Sequence, residues 1–195
     1  PLEKLPHELQ DAVIAIEDTR FYRHGGIDFV RIGGAIMANM RKRKLAQGGS
    51  TITQQLARSL FLTRERSVIR KLKEASLALM IEQKFSKEEI LELYLNQIYF
   101  GHNAYGVQAA ATIYFNKSVE KLDLSECALL AGLIRAPNKY SPFNSHEEAI
   151  QRRAVVLERM VELGFITQLQ ADTARKAPLR LSKLYPTETR APYFV

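Results

Sequence analysis

Residues 63–84 read TRERSVIRKLKEASLALMIEQK. Val68, Leu72, Ala75 and Leu79 recur at helical spacing beside Ile69, Ser76 and Met80, while Arg66, Arg70 and Glu74 fall on the polar side. Apolar residues at three- and four-residue steps over this length fit a helix, so the segment predicts a long amphipathic helix from Thr63 to about Lys84. The same period extends outward in both directions. Leu9, Ala12, Val13 and Ile16 follow Pro6, a residue suited to a first helical turn, and predict a helix that runs to about Tyr22 and stops before Gly25-Gly26. Asp28 can cap a second helix carrying Phe29, Ile32, Ile36 and Met40, interrupted by Gly33-Gly34. After the turn at Gly48-Gly49, Ser50 or Thr51 can cap the helix of Ile52, Leu56 and Leu60, and Thr51 with Gln54 has capping-box spacing. Further boxes begin at Ser86 with Glu89, Asp123 with Glu126 and Ser145 with Glu148. Only residues 178–195 read as extended, with Leu179, Leu181 and Leu184 between prolines, as an exit linker or edge strand. The expected fold class is all-α: one mostly helical domain with a mobile second lobe around residues 27–50.

Composition narrows the function. A chain of 195 residues, 46% hydrophobic and 25% charged, supports one substantial core and is too short for two ordinary domains. The single cysteine, Cys127, excludes an internal disulfide and a cysteine-based zinc site. A net charge of +7, concentrated in Arg41-Lys42-Arg43-Lys44 and from Arg64 to Lys73, suits phosphate-bearing partners or an anionic membrane surface. No run of about 18 uncharged apolar residues occurs, so no spanning helix is expected within these residues. The chain opens at Pro1 without a methionine and stops at Ala191-Pro192-Tyr193-Phe194-Val195, which predicts an excerpt from a longer protein.

Four stretches combine polar residues in ways that packing does not demand. Glu17 follows Ile16 at the edge of an apolar stripe, where partial desolvation suits a general base or acid; a solvated helix face is the alternative. Gly48 to Gln55 offers backbone N–H groups, three hydroxyls and two amides at a helix start, suited to an oxyanion or a sugar, whereas an ordinary cap explains only Ser50 or Thr51. Arg66, Arg70 and Glu74 form one ridge with Lys71 beside it, which fits a diphosphate held directly or through a divalent metal on Glu74; structural ion pairs use the same spacing. Arg135 to Pro142 is a turn with a cation at its start. The aromatic run Tyr94, Tyr99-Phe100, Tyr105 and Tyr114-Phe115 follows buried helix faces and reads as core, and His7, His102 and His146 read as structural.

Taken in order, Glu17-Asp18…Phe21…His24-Gly25, Gly48 to Leu56, Arg70-Lys71-Leu72-Lys73-Glu74, Lys87…Ile90-Leu91-Glu92…Tyr94-Leu95-Asn96 and Arg135…Pro137…Tyr140-Ser141-Pro142 resemble the five motifs of the peptidoglycan glycosyltransferase domains. These form glycosyltransferase family 51, found in class A penicillin-binding proteins and monofunctional relatives. The resemblance covers roughly residues 5–180, and its one departure is Ser141 where many members carry asparagine. It implies a lysozyme-like helical fold over residues 1–180, with a larger head lobe and a small membrane-facing jaw at 27–50, and an exit linker at 181–195 toward a transpeptidase domain. It implies an inverting transfer that polymerises lipid II into β1,4-linked glycan, releasing undecaprenyl diphosphate. Glu17 is then the base, with Glu74, Lys71 and Arg70 holding the departing diphosphate. Asp18, His24, Ser50, Gln54, Gln55, Arg58 and Arg66 line the cleft. No cofactor is required, a divalent cation (Mg2+ or Mn2+) on Glu74 being optional. The implied partners are lipid II, the growing strand and membrane phospholipid, so the basic excess needs no nucleic acid. The implied location is the outer face of the bacterial cytoplasmic membrane, with an N-terminal anchor outside this chain.

Two other classes share some of these features. A lytic muramidase also uses a glutamate on a lysozyme-like fold but gains nothing from a cationic ridge. A helical nucleic-acid-binding module fits the charge but leaves Glu17-Asp18 and the Gly-Ser-Thr-Gln stretch idle.

Overall fold

The computed structural model describes residues 1–34, 49–61 and 67–183. Its helices are α1 (His7–Glu17), α2 (described over 29–34), α3 (Ile52–Phe61), α4 (Val68–Lys84), α5 (Lys87–Gln97), α6 (Val107–Phe115), α7 (Leu124–Leu133), α8 (Pro137–Tyr140), α9 (His146–Glu162) and α10 (Gln168–Lys176). Among the described residues there is no strand, only an isolated bridge between Tyr99 and Tyr105. The all-α expectation holds. Ile36, Met37, Met40, the Arg41–Lys44 run, Arg66 and the tail from Leu184 to Val195 lie outside the described residues.

The core is built around α7, whose residues from Ser125 to Leu133 are all buried. A helix without a polar face must be covered on every side. α1 and α9 pack along it, and α10 closes over α9. A second group forms where α3 lies against α4 and α5. Local chemistry starts most of these helices as expected. Asp28 accepts from the Arg31 N–H at 2.9 Å, and Ser86 and Asp123 make complete capping boxes with Glu89 and Glu126. Ser145 accepts from the Glu148 N–H, half of the expected box. Ser67 and Thr167 cap α4 and α10 without having been singled out by sequence.

Three expectations are corrected. α1 ends at Glu17, not near Tyr22, because Asp18 leaves helical geometry (φ −155°, ψ 77°) to place its carboxylate among long-range partners. The described part of α4 begins at Val68, and its apolar stripe does not face the core. Val68 is 78% exposed, and Ile69, Leu72, Leu79 and Met80 are exposed with it, while the buried positions are Glu74, Ala78 and Ile81. At Ala78 small size allows a close approach. Gly26, at φ +86°, brings its backbone against Ala78, where a Cβ would stand 3.0 Å from the carbonyl oxygen. Finally, Tyr99 and Tyr105 are not core. Their rings lie 4.8 Å apart across the bridge and Tyr105 is largely exposed, whereas Tyr94, Phe100, Tyr114 and Phe115 are buried as expected.

His102 is structural, its Nε2 2.8 Å from the hydroxyl of buried Ser141. Beyond α10 the chain stays attached to the domain. The Ser182 N–H donates to the Tyr114 carbonyl at 2.8 Å, and Leu179 and Leu181 pack against the core.

Candidate active site

The end of α1 and the start of α3 meet at Asp18. Its fully buried carboxylate accepts from His24 Nε2 at 2.9 Å and from the Ile52 N–H at 3.0 Å, the latter an otherwise orphan donor at the α3 N-terminus. Arg31 reaches the same carboxylate at 3.8 Å and donates to the Glu17 carbonyl. Asp18, His24 and Asp28 bring ligand atoms within 4.8 Å of one another, but Arg20 already pairs with Asp28 at 3.2 Å and Arg31 with Asp18. Two guanidiniums and a backbone N–H supply the positive charge that a cation would bring, so the cluster is a structural clasp.

That clasp fixes Glu17. The side chain is half-buried at the last residue of α1, and its Oε2 accepts from Gln55 Nε2 at 2.8 Å. Gln55 Oε1 in turn accepts from the buried Tyr94 hydroxyl at 3.1 Å. Burial, and secondarily the Glu17 charge, pushes the Tyr94 phenol well above its ordinary value. The helix that supplies Gln55 is itself closed by the expected box: Gln54 Oε1 accepts from the Thr51 N–H and the Thr51 hydroxyl from the Gln54 N–H, each at 3.1 Å.

The cationic ridge meets the same helix start. Lys71 Nζ donates to the Ser50 hydroxyl and to Glu74 Oε2, both at 2.7 Å, and Arg70 Nε stands 3.3 Å from Glu74 Oε1. Lys71 is about half exposed, whereas Glu74 is buried beneath both cations. Among the described residues, no group of three or more carboxylate, histidine or cysteine ligands includes Glu74. With both its oxygens facing cations, Glu74 does not by itself make a resident metal site.

Thus Glu17, Gln55, Ser50, Lys71, Arg70 and Glu74 gather around residues 50–55. Asp18 and His24 sit behind them, buried, and Gln54 is engaged in its cap. Arg58 is half-buried one turn further along α3. Arg66 lies outside the described residues. On the other flank of the α1 end, a cavity of about 740 Å³ is lined by Arg20, Arg31, Arg135, Arg159 and Arg175 together with Glu158 and Glu162, which pair with Arg175 and Arg159. Sequence reasoning missed Arg31 and Tyr94. Arg31 carries no local signal, because its partners are remote in sequence, while Tyr94 stood inside the fourth motif but was read only as core.

A family model described as "Transglycosylase" matches residues 1–161. Penicillin-binding protein 1A of Aquifex aeolicus is 54% identical over 182 residues, 93% of this chain and 25% of that protein. Penicillin-binding protein 1A of Escherichia coli is 52% identical over 174 residues, 89% of this chain and 20% of that one. A putative transglycosylase of Cupriavidus necator is 48% identical over 181 residues, 93% of this chain and 78% of its own length. The crystal structure of penicillin-binding protein 1A from Haemophilus influenzae superposes with a TM-score of 0.56 at 30% identity, covering 94% of this chain and 18% of that one. The chain therefore belongs to the transglycosylase family, as a domain homologous to class A penicillin-binding protein 1A. It spans about a quarter or less of the penicillin-binding proteins just named.

Proposed function

We propose that this domain polymerises lipid II by inverting transfer, with Glu17 as the general base. The observation that carries this reading is the bond from Gln55 Nε2 to Glu17 Oε2. An amide N–H can only donate, so Gln55 holds one carboxylate oxygen in place and leaves the other to accept a proton. Glu17 takes the proton of the acceptor sugar's 4-hydroxyl as that oxygen attacks the anomeric carbon. The bond to the lipid diphosphate breaks on the opposite face, and an α-linked donor yields a β1,4 linkage. The transition state has oxocarbenium character.

Charge develops on the departing diphosphate, and the exposed Lys71 ammonium, fixed by Ser50 and Glu74, is suited to receive it. Arg70 adds a second cation. Glu74 acts from beneath by orienting both, and Asp18 and His24 act by holding the ends of α1 and α3 in register.

The exposed apolar residues support a membrane-facing side, the chemistry that a lipid-linked substrate needs. Phe29 and Val30 on α2, Leu60 and Phe61 at the end of α3, and the exposed face of α4 supply most of the large apolar side chains that the described residues leave to solvent. No described helix is long and apolar enough to cross a membrane, so contact here is interfacial. The corresponding location is the outer face of the bacterial cytoplasmic membrane. Incubation with lipid II in detergent tests the reaction. Glycan polymer with released undecaprenyl diphosphate is expected; intact lipid II alongside cleaved cell-wall glycan would instead show a hydrolase.

A further inference from the structure

We propose that Tyr94 is a positioning residue for the transfer: by donating to Gln55 Oε1 it sets the Gln55 amide so that its N–H₂ end, and not its oxygen, meets Glu17. The proposal rests on the reading of Glu17 as the base. A glutamine amide can be turned by 180° at little intrinsic cost, and the two orientations have opposite consequences for the carboxylate. With the N–H₂ end toward Glu17, a donor meets an acceptor. Turned over, the amide oxygen would face a carboxylate oxygen with no hydrogen between them, and a half-buried acceptor pair is repulsive.

What selects the orientation is the group on the far side. The Tyr94 hydroxyl is fully buried on α5, and 3.1 Å from Gln55 is its one hydrogen-bond partner among the described residues. Burial keeps the phenol protonated, so it arrives as a donor and calls for the amide oxygen. The chain from Tyr94 through Gln55 to Glu17 thus runs in one direction. Gln55 occupies one Glu17 oxygen, and the other is left to take the acceptor's proton. The relay ties α5 through α3 to the end of α1, elements drawn from three separate sequence motifs.

The test is a double-mutant cycle on lipid II polymerisation, with Glu17→Gln run alongside. Tyr94→Phe keeps the ring and removes the hydroxyl; Gln55→Leu keeps the volume and removes the amide. Each is expected to lower kcat by about tenfold or more, the effect of one lost buried hydrogen bond, with KM for lipid II within about twofold. In the Gln55→Leu background, Tyr94→Phe is expected to lower kcat by less than about twofold, because the hydroxyl acts only through the amide. Melting curves on the same variants monitor folding, and the non-additivity of kcat is a readout that general destabilisation does not produce. Multiplicative losses, or a Tyr94→Phe variant with unchanged kcat while Glu17→Gln is inactive, would overturn the relay and leave the base intact. An active Glu17→Gln variant would overturn the base, and the relay with it.

Discussion

Lys71 shows how one side chain joins structure to chemistry. Its ammonium is held at 2.7 Å by both Ser50 and Glu74, yet about half of the side chain faces solvent, so the charge is fixed in place and still accessible. A charge-assisted bond to a phosphate oxygen contributes roughly 1.5–3 kcal/mol. Lys71→Ala should therefore weaken binding of a diphosphate lipid by about tenfold or more while changing the affinity of an uncharged glycan chain by less than about twofold. Equal losses on both ligands, measured by titration, would show that the ridge is structural. Glu74 differs in kind: it is buried and faces two cations, and its proposed part is to orient them.

At the scale of elements, caps were legible because they are local. Asp28, Thr51, Ser86 and Asp123 each meet a partner three residues away, and that spacing can be read directly from sequence. The end of α1 was not, because the partner that draws Asp18 out of the helix is the Ile52 N–H, 34 residues on. Nor could periodicity decide which side of α4 is covered. A stripe of valine, isoleucine, leucine and methionine marks a helix with two unlike faces, but the packed face proved to be that of Glu74, Ala78 and Ile81, where Gly26 approaches Ala78. Glu17 and the polar run at residues 50–55 were legible as candidates, whereas the Tyr94 contact, 39 residues from Gln55, was hidden in an aromatic pattern typical of cores. The Gly26 approach gives a sharp comparison. Gly26→Ala combines a positive φ with a Cβ pressed on rigid backbone and should destabilise by about 2 kcal/mol or more. Gly25→Ala meets nothing within 4 Å and should stay within about 0.5 kcal/mol of the parent. Denaturant melts that rank the two variants equally would contradict the close-packing account.

For the whole molecule, the buried α1, α7 and α9 group provides a rigid support, and the exposed apolar side chains of α2, α3 and α4 lie on the elements around residues 50–55. The proposed lipid-linked substrate would call for contact with a lipid surface, which these side chains suit. Leu72→Ser with Met80→Ser removes apolar contact from positions that are exposed, so binding to vesicles of mixed neutral and anionic phospholipid should fall by about tenfold, with stability within about 1 kcal/mol of the parent. Undiminished vesicle binding would assign the α4 face another occupant.

The most direct test of the central claim is single-turnover transfer by Glu17→Gln with lipid II, alongside its equilibrium affinity for the same substrate. The amide keeps the shape of the side chain and removes the base. Transfer should fall by a factor of about 10² to 10⁴ while affinity stays within about threefold. A variant that keeps more than about a tenth of the normal rate would show that the proton leaves by another route and that Glu17 is not the base.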